Sequence, residues 1–136
     1  MMRLVGAGLC VVLAVVVAGC GTSDDRDQSR AVVERFYDAV RNDDAEEACA
    51  QLSESLVEQI ESQTQQSCED AITGFEYEGG AIVDAEVYIT NAKVDLRSGE
   101  SAFLSRERDG WKLSALACRP EEGKPADRPF ECEVET

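Results

Sequence analysis

The sequence contains no histidine among its 136 residues. Histidine is the side chain whose unperturbed pKa lies nearest neutrality, so the commonest general acid or base of enzymes is missing. The six cysteines form no CxxC pair, and without such pairs or histidine a tetrahedral zinc site lacks its usual ligands. We therefore predict no metal site and no cofactor, and we favour a protein that is not an enzyme.

Basic residues are also scarce, because 13 Lys and Arg face 28 Asp and Glu, for a net charge of −15. Nucleic-acid binding needs clustered basic side chains that neutralise phosphates, so no nucleic-acid partner is predicted. The same charge repels an anionic lipid surface. The acidic stretch RNDDAEEA at residues 41–48 lacks the alternating aspartates, central glycine and closing glutamate of a calcium loop.

No apolar run is long enough to favour a spanning helix. The longest, residues 4–18, has about 15 residues, whereas crossing the hydrocarbon core takes roughly 20. Arg3 precedes the run and the small-residue step Gly19-Cys20 ends it, which is the layout of a secretory signal peptide. A spanning anchor is the less favoured alternative.

The end of this run, Val17-Ala18-Gly19-Cys20, resembles the bacterial lipobox, although Val17 stands where leucine is commonest. The resemblance implies that residues 1–19 are a signal peptide and that Cys20 becomes an amino terminus carrying diacylglycerol and acyl chains such as palmitate. Two or three chains hold a protein persistently at a membrane, whereas one does not. We expect a lipid-anchored domain on the extracytoplasmic face of the cell membrane. The alternative is an ordinary signal peptide, with Cys20 free or disulfide-bonded.

After cleavage, residues 20–28 are predicted to form the lipidated cysteine and a solvated acidic linker, and residues 29–136 one domain. Cys10 leaves with the signal and Cys20 carries the lipid, so four cysteines remain. An even number in a small exported domain indicates disulfides, and four cysteines allow three pairings. The local pairing, Cys49 with Cys68 and Cys118 with Cys132, fits the order of elements described next.

The hydrophobic pattern changes from helical to alternating halfway along the chain. Residues 29–41 place Val33, Phe36 and Val40 on one helical face, and shorter amphipathic stretches follow up to residue 72. From Ala81 onward apolar and polar residues alternate, which is typical of half-buried strands. Strands are predicted over 81–90, 91–97, 101–108 and 111–118, with Asp109-Gly110 as a hairpin signal. Phe130 to Val134 is predicted as a short edge segment held by Cys132. Helices followed by an antiparallel meander predict an α+β fold.

This order of elements resembles the NTF2-like (cystatin-like) superfamily. More closely, FYDAVRNDDAEEACAQL and GWKLSALACRPEEGKPADRPFECEVE are similar to a group of small actinobacterial lipoproteins. The resemblance implies amino-terminal helices packed on a curved four-stranded antiparallel sheet, and it implies the same local disulfide pairing. It implies no settled activity.

NTF2-like folds often enclose a cone-shaped pocket between helices and sheet. The side chains that we expect to line this pocket are Phe36, Tyr37, Val40, Val83, Val87, Val94 and Trp111. Tyr37 and Trp111 are interpreted first as core residues. The inward strand face carries no ionisable group, so we predict a non-catalytic domain that binds a protein partner or a small apolar ligand. The alternatives are an isomerase or hydratase, which requires a buried carboxylate in the pocket, and a passive envelope component.

Overall fold

The computed structural model describes residues 22–120 and 130–136. The predicted signal peptide, Cys20 and the loop over residues 121–129 therefore lie outside the described residues.

Helices precede strands, as predicted for an α+β fold. The helices are α1 (Thr22–Arg41), α2 (Ala45–Ala50), α3 (Glu54–Thr64) and α4 (Cys68–Ala71), followed by a 3-10 turn at Ile72–Gly74. The strands are β1 (Ile82–Tyr88), β2 (Asn91–Leu96), β3 (Ser101–Glu107), β4 (Gly110–Pro120) and β5 (Phe130–Glu135).

Each of the three shorter helices begins at a side-chain cap. Asp44, Ser53 and Ser67 accept hydrogen bonds from backbone N–H groups three residues further on, at 3.1, 3.2 and 3.3 Å. These bonds satisfy donors that the first helical turn leaves free, so short polar residues divide this half of the chain into separate helices.

Helix α1 begins at Thr22, whereas the sequence pattern predicts a linker up to residue 28. The linker prediction is wrong for residues 22–28, which are helical. Asp24 and Asp25 lie in the first turn, where acidic side chains favour a helix. The Oδ1 atom of Asp25 also accepts a hydrogen bond from Nε1 of Trp111 at 3.2 Å and pairs with the guanidinium of Arg106. This turn is therefore attached to the sheet.

The sheet has five antiparallel strands in the order β1-β2-β3-β4-β5. The prediction of four strands is wrong, because the segment after residue 129 pairs with β4 along its length. Val134 lies opposite Leu116 and is buried with it in the core. A disulfide joins Cys118 to Cys132 at directly opposed positions, with 3.9 Å between their Cα atoms. Apolar burial and a covalent link both hold β5 in the sheet.

The core lies between the helices and one face of the sheet. The second predicted disulfide, Cys49–Cys68, joins α2 to α4 on the helical side. Within the described ranges, no helix combines the length and the apolar composition needed to cross a membrane. The largest fully buried apolar side chains are Val33, Phe36, Leu56, Ile60, Ile72, Val94, Leu104, Leu113, Leu116 and Val134.

Candidate functional site

Among the described residues, the side chains that we expected to line a pocket do not share one. Phe36, Tyr37, Val94 and Trp111 are buried in the core. Val40 and Val87 are half-buried and pack against that core. These six residues belong to, or pack against, one hydrophobic core shared by the helices and the sheet, so they contribute to packing.

Val83 is the exception, because its side chain is 53% exposed. The predicted alternation places it on the inner face of the sheet, and that placement is wrong. Between Ile82 and Asp84 the register with β2 shifts, leaving Val83 as an extra residue in β1. Because side chains alternate between the two faces of a sheet, such a bulge moves the side chains that precede it to the opposite face. Ile82 therefore packs against the core in place of Val83.

A cleft of about 220 Å³ runs along the surface between α1 and the start of β1. Tyr37 borders it together with the charged side chains of Glu34, Asp38 and Arg41. Asp38 and Arg41 form an ion pair within α1. The cleft has a charged rim and differs from the apolar cone predicted from the sequence.

The most unusual polar group in the described residues is Glu100, which is 0% exposed. It lies immediately before β3. Its Oε1 atom accepts hydrogen bonds from the backbone N–H of Glu78 at 2.9 Å and from Nη2 of Arg119 at 3.0 Å. Its Oε2 atom accepts from the backbone N–H of Gly79 at 2.9 Å and from the Tyr37 hydroxyl at 3.3 Å. Glu100 therefore links α1, the loop before β1 and the end of β4.

This arrangement uses both oxygens of the carboxylate fully. A carboxylate offers about four acceptor positions, and Glu100 meets four donors. No acceptor position is left for a substrate proton. Glu100 is a buried carboxylate, but it lines none of the clefts found among the described residues, whereas the enzyme alternative requires a carboxylate in the pocket, and its bonding is that of a structural connection.

The groups around Glu100 have shifted pKa values. Burial, followed by the negative charge and hydrogen bond of Glu100, raises the pKa of Tyr37 above its usual value of 10.0. Burial also raises the pKa of Tyr77, with further contributions from the charges of Glu133 and Glu100. Hydrogen bonds to Glu78 and Glu100 raise the pKa of Arg119. At neutral pH both tyrosines are protonated and Arg119 is charged.

Aromatic rings fill the space beside this carboxylate. Tyr37 meets Phe36 edge-on at 5.3 Å between ring centroids, and Tyr77 meets Phe36 at 5.4 Å. Gly79 has a φ of +60°, and a Cβ atom added there would lie 2.9 Å from Cδ1 of Tyr37. A side chain at this position would have to displace the tyrosine ring, so glycine allows the loop to reach Glu100.

A second polar group lies on β2 and β3. Asp95 accepts hydrogen bonds from Nζ of Lys93 at 2.9 Å and from the Ser101 hydroxyl at 2.5 Å. Burial alone would raise the pKa of Asp95, but these two hydrogen bonds and the charge of Lys93 lower it. Lys93 also lies 5.4 Å from the ring centroid of Phe130. These contacts connect β2, β3 and β5. The Asp95 carboxylate is bonded to Lys93 and Ser101, which is not an arrangement typical of a catalytic pair.

One end of the sheet carries the turn at residues 89–90, the turn at residues 108–109 and the first turn of α1. We call it the hairpin end. The backbone N–H of Arg106 donates to the carbonyl of Thr90 at 2.8 Å, which joins the two turns. The contacts of Asp25 with Arg106 and Trp111 bring α1 to the same place.

No local sequence pattern predicts that Glu100, Arg119 and Asp25 take part in buried or half-buried contacts. Glu100 follows a Ser-Gly turn, where a glutamate is normally solvated. Asp25 lies in an acidic run that resembles a linker. A buried position for either depends on contacts between residues far apart in the chain, which no local pattern encodes.

Comparison of the chain with protein-family models, with curated proteins and with solved structures gives no match.

Proposed function

We propose that this chain is a lipid-anchored extracytoplasmic domain with an NTF2-like arrangement, which binds a protein partner without catalysing a reaction. The observation that carries the choice of a protein partner is the filled core. Six of the seven side chains expected to line a ligand cavity, all except Val83, belong to the hydrophobic core or pack against it instead. A small apolar ligand would have to displace them, at a large cost in packing.

The anchor is supported by residues 17–20 and by cysteine use. If Cys10 is removed and Cys20 is acylated, four cysteines remain, and all four are paired in the two disulfides. No unpaired thiol is then left in the mature chain. Stable disulfides are characteristic of proteins outside the cytosol, in agreement with export.

The absence of catalysis is supported by the bonding of Glu100. An isomerase or hydratase needs a carboxylate free to take a proton from its substrate. All four acceptor positions of Glu100 are taken. The charged side chains of the described cleft beside α1, Glu34, Asp38 and Arg41, are exposed at its rim, and Asp38 is paired with Arg41.

The anchor is tested by replacing Cys20 with alanine and feeding the producing bacterium a clickable palmitate analogue. The unaltered protein should take up the label and sediment with membranes, whereas Cys20→Ala should remain unlabelled. Cys10→Ala is the matched control, because it removes a cysteine from the signal peptide and should leave labelling intact. Labelling of Cys20→Ala would contradict the proposed anchor.

The partner is tested by cross-linking in native membranes, followed by detergent extraction and purification of the protein. A specific cross-linked protein that is lost after competition with the unlabelled domain would support the proposal. Recovery of a stoichiometric lipid or other small molecule, with no cross-linked protein, would favour the ligand-carrier alternative.

A further inference from the structure

We infer that the hairpin end is the surface that faces the lipid bilayer, with Ile89 and Tyr88 in contact with the membrane interface. The inference rests on the proposed anchor at Cys20. It adds an orientation to that proposal, because it states which part of the domain meets the lipid.

The direction of α1 supports this orientation. Asp25, near the start of α1, contacts Trp111 and Arg106 at the hairpin end. Tyr37, near its end, contacts Glu100 and the loop before β1 at the opposite end of the sheet. The helix therefore runs the length of the sheet and begins at the hairpin end.

The distance from the helix to the anchor is short. Cys20 precedes Thr22 by two residues, which span at most roughly 7 Å when fully extended. The acylated cysteine is therefore held close to the hairpin end. A domain tethered in this way cannot turn its opposite end to the bilayer without separating α1 from the sheet.

Exposed apolar side chains occur at the same end. In residues 22–120 and 130–136, the exposed large hydrophobic residues are Val83, Tyr88 and Ile89. Tyr88 and Ile89 lie at the hairpin end, whereas Val83 lies near the other end of β1. Ile89 is 91% exposed and Tyr88 is 57% exposed. Tyrosine is enriched at membrane interfaces, where its ring is buried and its hydroxyl stays hydrated.

Ile89 is also poorly suited to its backbone conformation. Its φ is +46°, in the left-handed region that β-branched residues rarely adopt and that asparagine and glycine tolerate. Folding gains nothing from an exposed isoleucine under backbone strain. Contact with a membrane explains both the residue type and its exposure.

Charges at the hairpin end permit this contact despite the acidity of the whole chain. Arg106 pairs with Asp25, and Lys112 pairs with Asp109 at 3.5 Å. Arg108 lies in the turn beside Glu107 and is exposed, and Arg26 and Asp24 are exposed in the first turns of α1. Of the acidic groups on β1, Glu86 lies nearest the tip; Lys93, opposite it on β2, is already paired with Asp95 at 2.9 Å. Asp27 and Glu54 are also exposed there, so this end carries a local excess of negative charge that is small beside the net charge of −15.

The test uses the acylated protein in vesicles of phosphatidylethanolamine and phosphatidylglycerol that contain nitroxide-labelled lipid. An environment-sensitive fluorophore is attached in one sample to Arg108→Cys, at the hairpin end. In the matched sample it is attached to Arg97→Cys, an exposed arginine whose backbone N–H bonds to Ala81 at the opposite end. We expect the nitroxide lipid to quench the fluorophore at position 108 several-fold more strongly than at position 97.

A second comparison tests Ile89 itself. Ile89→Asn, combined with the fluorophore at position 108, should reduce the quenching at least two-fold while the fold is retained, since Ile89 is exposed. Thermal unfolding measured on the same sample should show undiminished stability. Unchanged quenching in Ile89→Asn would overturn the role of this residue.

The remaining outcomes separate the orientation from the anchor. If neither labelled protein floats with the vesicles, the proposed anchor fails and the orientation fails with it. If both proteins float and positions 97 and 108 are quenched equally, the orientation alone is overturned. A further outcome is that the fluorophore at position 108 is shielded from solvent in native membranes but not in protein-free vesicles. That result would assign the hairpin end to a protein partner and would also overturn the inference.

Discussion

Glu100 is the residue on which three separate parts of the chain converge. Burial of a carboxylate is costly unless hydrogen bonds and an opposite charge compensate for it. Here two backbone N–H groups, the Tyr37 hydroxyl and Arg119 provide that compensation. The stability of this end of the sheet should therefore depend on the acceptor character of one side chain.

Glu100→Gln should lower the free energy of unfolding by about 1–3 kcal/mol, the cost of leaving a buried hydrogen-bonding group without its partner. The amide nitrogen of glutamine would face donors where a carboxylate oxygen now accepts two hydrogen bonds. Urea unfolding followed by tryptophan fluorescence measures the change.

Glu78→Gln is the matched control, because it alters the exposed partner of the same arginine. The Glu78 carboxylate lies 3.1 Å from Arg119, and exposed pairs contribute at most about 1 kcal/mol. Equal losses from Glu78→Gln and Glu100→Gln would contradict the structural role assigned to the buried carboxylate.

Among the elements of secondary structure, α1 differs most from its predicted bounds. Its first turns are helical because Asp25 connects them to β3 and β4. A linker in place of these turns would let the domain move freely about its anchor. Their attachment to the sheet restricts the orientation of the whole domain.

Asp25→Ala should loosen the start of α1 and cost about 1–2 kcal/mol, because the buried Trp111 loses its hydrogen-bond acceptor. Hydrogen exchange of the backbone amides of residues 22–29 should accelerate. Asp24→Ala changes the same helix propensity and dipole interaction without that contact, so it should have a smaller effect. Similar acceleration in both variants would show that Asp25 acts only through the helix dipole.

Most of the architecture follows from local patterns. Alternating apolar residues predict the strands, and the polar residues that divide the helices act as their caps. The disulfide pairing predicted from the order of elements is confirmed at both Cys49–Cys68 and Cys118–Cys132. These features depend on residues near one another in the sequence, and a pattern of residue types is enough to recognise them.

The differences arise where distant residues decide the outcome. The bulge at Val83 depends on how β1 pairs with β2, and period-2 alternation contains no sign of an inserted residue. The fifth strand depends on Val134 reaching the core across from Leu116. Six of the side chains predicted to line the cone belong to, or pack against, a core shared by the helices and the sheet, and the strand pattern alone cannot give the volume of the cone.

For the molecule as a whole, the buried tyrosines predict how stability changes at alkaline pH. The pKa values of Tyr37 and Tyr77 are raised in the folded state, whereas in the unfolded chain both groups titrate near 10.0. Their contribution is present below that pH and is lost as the pH rises above it. Each tyrosine should lower the free energy of unfolding by up to about 1.4 kcal/mol per pH unit.

Urea unfolding at a series of alkaline pH values tests this expectation. Tyr37→Phe should reduce the slope above pH 10.0, although it also removes the hydrogen bond to Glu100 and lowers stability at neutral pH. An unchanged alkaline slope in Tyr37→Phe would mean that Tyr37 ionises equally in the folded and unfolded chains.

The agreement between strand order and chain order has a consequence for how the protein folds. Each strand pairs with the one made just before it, so the meander can grow by local hairpin closure. The contacts of Asp25 with Arg106 and Trp111 instead bridge 81 and 86 positions in the chain. Closing so long a loop costs conformational entropy before the contacts at its ends can form. We expect the amino-terminal turns to dock last, after the β3–β4 hairpin has provided a surface to receive them.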